Sequence, residues 1–139
     1  MNRRKWWFAA ALAPVLAVVA WAGFAPIESD SREELFEIPR GTYARRAAGD
    51  LVDILPSTIV LTLGVNDVLL LRNLDEVPQQ FGPTILMPGQ SFRLPFEVAS
   101  ENYFDCTAHS SGQMVVIVEE RPSWPWQKIR WRLRHWRNS

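Results

Sequence analysis

The sequence predicts an all-β sandwich carried between two segments of another kind, an apolar N-terminal helix and a short basic amphipathic C-terminal helix. Three observations lead there. Residues 6–24 run for nineteen positions without a charge. Between residues 58 and 118 short apolar runs are separated by turn residues roughly every ten positions, the spacing of a sandwich or barrel. Residues 121–139 hold six basic residues, four tryptophans and no acid. At 139 residues the chain is long enough for one ordinary domain. Its net charge of zero is a sum of unlike parts: +3 over residues 1–27, −9 over 28–120 and +6 over 121–139. The acidic middle would repel phosphate, so no nucleic acid is expected as a partner.

The N-terminal segment comes first. Arg3, Arg4 and Lys5 precede the apolar run, Pro14 lies inside it, and Pro26 and Glu28 close it. The run is close to the ~20 residues that cross a bilayer. Trp6, Trp7 and Trp21 mark its two ends, where the indole ring is buried and its N–H is wet. Residues 1–26 therefore read as a signal anchor or transmembrane helix, with the basic cluster inside and the rest of the chain outside, in the periplasm or at the cell surface. The alternative is export followed by cleavage near Ala22, since Ala20-Trp21-Ala22 offers a small-x-small site. Residues 27–37 (IESDSREELFE) are charged and weakly patterned, and read as a solvated linker.

Residues 38–120 form the expected β domain. Positions 58–63 alternate; 68–71 are continuously apolar after the turn Gly64-Val65-Asn66-Asp67; Phe92, Leu94 and Phe96 alternate after Pro88-Gly89; residues 103–104 and 114–118 complete the set. Pro95 lacks an N–H and so marks its run as an edge strand or bulge. Asp75-Glu76 and Glu119-Glu120 read as solvated turns and strand ends. No triad, phosphate-binding glycine loop or paired-carboxylate arrangement is present, so the chain is not expected to be an enzyme.

One segment carries chemistry. Cys106-x2-His109-x4-Met114 lies at the junction of two expected strands and holds a thiol, an imidazole and a thioether. Soft sulfur ligands favour Cu(I), and a short loop between strands can turn several donors onto one point. The bland readings are a buried small cysteine, a core methionine and an unpartnered surface histidine. Residues 67–75 (DVLLLRNLD), the turn Pro88-Gly89-Gln90-Ser91-Phe92 and the Cys106, His109, Met114 spacing together resemble the cupredoxin family of blue-copper, plastocyanin-like proteins. The resemblance spans residues 59–119. It implies a Greek-key β-sandwich, copper as cofactor, and electron transfer or copper handling as function. It also implies a second histidine in the Pro-His step after Asn73-Leu74-Asp75, where this chain has Pro78-Gln79. The other histidine, His135, lies in the tail. Three outcomes follow: the amide oxygen of Gln79 or Gln80 substitutes as a metal ligand, Cys106, His109 and Met114 hold Cu(I) alone, or the domain is a copper-free accessory subunit of a membrane complex.

In the tail, Ser123 is placed to cap a helix and Pro125 to enter its first turn. Trp126, Ile129, Leu133 and Trp136 fall on one face, flanked by Lys128 and arginines. Residues 121–139 thus read as a helix for a membrane surface or a membrane-complex partner.

Overall fold

A computed structural model describes residues 3–29 and 31–138, with side chains from residue 12 to residue 137 apart from residue 30. Residues 29–121 form one compact unit, and the two terminal segments form another. The first unit contains strands β1 (Glu33–Ile38), β2 (Thr58–Thr62), β3 (Val68–Asn73), β4 (Gln79–Phe81), β5 (Thr84–Leu86), β6 (Ser91–Pro95), β7 (Ser100–Asp105) and β8 (Gln113–Glu119), with a short helix α2 (Thr42–Ala47) after β1. The second contains α1 (Arg3–Phe24) and α3 (Pro125–Asn138).

The strands form two mixed three-stranded sheets, β1-β3-β6 and β2-β8-β7, and a β4-β5 hairpin. In each sheet one pair is parallel, β1 with β3 and β2 with β8, and the other is antiparallel. The all-β sandwich expected from the run spacing is therefore found. Period-2 alternation explains the register. On β8, Met114, Val116 and Val118 face inward, and Ile59 and Leu61 of β2 stand opposite Val116 and Val118. Leu69 and Leu71 of β3 join Ile38, Phe81, Leu86 and Cys106 in the same cluster. Pro95 ends β6, which pairs only with β3, so the edge position holds.

Residues 33–37, read from the sequence as part of the 27–37 linker, form an edge strand with Ile38 instead. Phe36 and Ile38 turn toward the core, with Glu34 half-buried on the same face and accepting from Asn66 Nδ2 at 3.1 Å, while Glu33 and Glu37 turn outward. Glu37 stands opposite Arg72 and bonds to it at 3.2 Å, and Glu33 bonds to Arg93 at 2.7 Å. Cross-strand charge pairs thus supply the complement that an isolated charged segment lacks, and charged side chains guard the sheet edge. At the head of β3, Asp67 accepts from Arg32 and from the Gly64 N–H, which fixes the 64–67 turn.

The β4-β5 hairpin turns at Gly82, whose φ of +54 lies in the left-handed region. A Cβ there would come within 2.9 Å of Phe104, which is stacked on Phe81 at 4.7 Å between ring centroids. Gly82→Ala therefore adds backbone strain to a clash against the half-buried Phe104 ring. Its expected cost is about 2 kcal/mol in denaturant unfolding; a change within ~0.5 kcal/mol would show that the hairpin relaxes freely.

In the terminal unit, residues 12–21 of α1 are exposed throughout. Leu12, Val15, Leu16, Val18 and Val19 are each at least half exposed. Among the described residues no helix is long and apolar enough to cross a membrane. The anchor reading also rests on residues 6–11, and on Trp6, Trp7 and the Arg3-Arg4-Lys5 cluster, whose side chains lie outside the described residues. α3 starts with Pro125 in its first turn, as expected. Its start is closed by the Gln127 side chain, whose Oε1 accepts from the N–H groups of Ser123 and Trp124 at 3.2 Å, and not by the Ser123 hydroxyl.

Candidate metal centre

The loop between β7 and β8 is held by its own backbone. The Cys106 N–H donates to Gly112 O at 2.8 Å, the His109 N–H to Cys106 O at 3.2 Å, and the Gly112 N–H to His109 O at 3.1 Å. A bridge between Phe81 and Cys106 and a bond from the Gly82 N–H to Asp105 O fasten the hairpin beside this loop. The fold thereby brings Gln79, on β4, next to the Cys106 loop, as the resemblance implies.

Each candidate ligand has a definite place. Cys106 is 1 % exposed and Met114 fully buried, both within the apolar core. Burial pushes the Cys106 thiol above its ordinary range, against the N–H groups of Ala108 and His109 and the Arg46 charge. His109 is buried as well: Nδ1 lies 2.9 Å from Ser111 Oγ. Its Nε2 is 3.4 Å from Asp53 Oδ2 and makes no hydrogen bond. Asp53 Oδ1 in turn accepts from Arg46 at 3.0 Å and from the Ser110 N–H at 2.8 Å. Ser110 above all holds the Asp53 carboxyl below its usual range. Arg46, on α2, also donates to Ala108 O at 3.0 Å.

Gln79 is 2 % exposed, and its amide is used at both ends. Nε2 donates to Asp75 Oδ2 at 2.9 Å, and Oε1 accepts from Thr107 Oγ1 at 2.6 Å. Thr107 Oγ1 accepts in turn from the Gln80 N–H at 2.9 Å. Gln80 itself is exposed. Asp75, expected as a solvated turn, is instead 3 % exposed. It accepts at 2.9 Å from the N–H groups of Gly41, Tyr43 and Glu76 as well as from Gln79. Burial alone would raise its pKa, but these donors outweigh it and hold the carboxyl below its ordinary value. Asn73 completes the frame: its Oδ1 accepts from the Asp75 N–H, and its Nδ2 donates to Val77 O and Leu86 O, all at 2.9 Å.

Thr107, Asp53 and Arg46 are the residues that the sequence did not single out, and Asp75 was legible only as a turn and as the end of the Asn-x-Asp segment. Thr107 stands inside the motif and was within reach of the reading. Asp53 and Arg46 carry no local signal, because only the long-range return of residues 45–53 to the loop gives them a role.

The donor set does not fit a copper centre of one thiolate and two imidazoles. His109 is the sole histidine of the 29–121 unit, and Gln79, where the resemblance implies a second imidazole, has its amide already bonded on both sides. Among the described residues no group of three or more His, Cys, Asp or Glu side chains could hold a metal ion.

No protein-family model matches the chain, and no curated protein matches it. Solved structures similar to it include a novel purple cupredoxin from Nitrosopumilus maritimus (19 % identity, 61 % of this chain and 98 % of that one, TM-score 0.43). A methionine-to-alanine mutant of amicyanin in the Cu(I) form is similar at 14 % identity, over 70 % of this chain and 89 % of that one, TM-score 0.43. A copper-containing nitrite reductase from Thermus scotoductus SA-01 is similar at 20 % identity, over 48 % of this chain and 21 % of that one, TM-score 0.31. All three TM-scores are below 0.5, so the reading of this chain rests on its own strand order and loop.

Proposed function

We propose that the chain is a membrane-tethered, extracytoplasmic cupredoxin-like domain that serves as a copper-free accessory subunit of a membrane complex. The carrying observation is Gln79. It occupies the place of the second imidazole and cross-links Asp75 to Thr107, so that the loop which would cradle a metal is closed by hydrogen bonds. The Asn-x-Asp segment adds to this, joining α2 to the hairpin through Asn73 and Asp75, while Gln79 joins the hairpin to the loop. The tether reading is supported by residues 12–21 of α1, a run of uncharged, mostly apolar residues that are all exposed and so suit an apolar medium.

A second reading has one observation in its favour. Cys106 and Met114 lie in the same dry cluster, and His109 Nε2 is a buried nitrogen without a hydrogen bond. Those three donors are a soft set of the kind that holds Cu(I).

The tether and the subunit role are tested on the tagged full chain in its host. The protein is expected to stay with membranes through alkaline washing, to keep its residues ahead of Gly23 by intact mass, and to migrate after mild detergent extraction as part of a larger complex. Release without detergent, or a mature chain beginning at Gly23, contradicts the tether. A monomer after mild extraction and crosslinking contradicts the subunit role.

A further inference from the structure

The C-terminal end of α1 and the tail helix α3 share one residue that belongs to no part of the β domain. The Arg132 guanidinium donates to the carbonyl of Ala22, in the last turn of α1, and to those of Ala25 at 3.0 Å and Pro26 at 2.9 Å. The last carbonyls of a helix have no partner within it, and a cation there also complements the helix dipole. Arg132 thus caps α1 from another helix. The same guanidinium lies over the Trp21 ring, 5.1 Å from its centroid. Gly23 allows the approach: a Cβ there would stand 3.1 Å from Pro125 Cβ and 3.6 Å from Ile129 Cδ1.

This clamp sets the level of α3. It holds the tail helix where the apolar run of α1 stops and where Trp21 marks an interface. At fourteen residues α3 is about 21 Å long, too short to span a bilayer. The apolar stripe of α3 is only partly covered by α1. Trp126 is 55 % exposed, Leu133 61 % and Trp136 82 %, and on the helical wheel they continue the stripe formed by Pro125 and Ile129 against α1. Arg130, stacked over Trp126 at 5.1 Å, and Arg137 border that stripe. No acid occurs in residues 121–139, and Glu28 is the only one in the terminal unit.

We infer that α3 is an interfacial helix, pinned by Arg132 to the outer end of the anchor, that lays Trp126, Leu133 and Trp136 into the outer leaflet and its cations on anionic lipid headgroups. This rests on the tether reading. Charge complementarity and continuity with the apolar surface of α1 select the occupant. The chain then has two membrane contacts at one place, α1 and α3.

The test uses the full chain in a Cys106→Ala background, with a nitroxide attached at Leu133→Cys or Trp136→Cys. It is reconstituted in phosphatidylcholine vesicles with and without phosphatidylglycerol. With anionic lipid, both labels are expected to show a several-fold higher ratio of oxygen to water-soluble nickel accessibility than in pure phosphatidylcholine. Arg132→Gln is expected to return both labels toward water, and Arg132→Lys, which keeps the charge but loses the fork, to give an intermediate ratio. Chain that floats with anionic vesicles while its labels stay water-accessible overturns the inference alone and leaves a protein surface as the occupant of this face. Chain that fails to float with any vesicle overturns the tether reading and this inference with it.

Discussion

Asp75→Ala is expected to destabilise the β domain by about 4 kcal/mol, the largest effect of any single substitution considered, read as a lowered denaturant midpoint at unchanged slope. The carboxylate is buried and accepts from four donors: the backbone at the start of α2 (Gly41 and Tyr43), the Glu76 N–H and the Gln79 amide. Alanine removes the acceptor that all four share, on a side chain only 3 % exposed. Asp75→Asn keeps part of the acceptor capacity and should cost about half as much. A loss below ~1 kcal/mol for the alanine variant would show that these donors find other partners. The sign of the pH dependence follows from the same group. The folded-state pKa of Asp75 lies below its ordinary value, as does that of Asp67, chiefly through its bond to Arg32. Their contribution is therefore present above the unfolded carboxylate value of about 3.9 and is lost as pH falls through the folded values. Stability should hold from neutral pH to about pH 5 and fall below about pH 4, less steeply in Asp75→Asn.

Gln79→His is the second large expected effect, and it is a gain. It places an imidazole where the resemblance implies one and removes the amide that joins Asp75 to Thr107. Added Cu(II) should then produce an intense visible thiolate charge-transfer band that is absent from the native chain. Cys106→Ala or His109→Ala in the same background should abolish it. Loss of two buried hydrogen bonds should lower the stability of the metal-free variant by about 1–2 kcal/mol. A variant that stays colourless while folded would show that Gln79 is not what separates this loop from a copper-binding one.

The sandwich was legible because its central strands follow the rule that buried faces repeat every second residue. Leu69 and Leu71 of β3, and Met114, Val116 and Val118 of β8, announce themselves by spacing alone. The pieces that sequence did not disclose are those whose cause is non-local. β1 reads as linker because Glu33 and Glu37 find their arginines on other strands. β4 and β5 are three residues each, too short for a period to show. Asp75 looks like a surface turn until α2 is folded over it, since the two donors from Gly41 and Tyr43 arrive from more than thirty residues away. The site divides in the same way. Cys106, His109 and Met114 were visible by type and spacing, and Gln79 by the residue it displaces. That the amide is bonded at both ends, and that His109 is turned toward Asp53 and Ser111, depends on neighbours which only the fold supplies.

The central claim is that this loop is closed by hydrogen bonds and not by copper. It is tested most directly by titrating the purified full chain in detergent with Cu(I) against a competing chelator, and with Cu(II) under a visible absorption scan. The account predicts no stoichiometric Cu(I) uptake and no thiolate charge-transfer band from the native chain. One equivalent of Cu(I), or an intense visible band with Cu(II), either of them lost on Cys106→Ala, would contradict it.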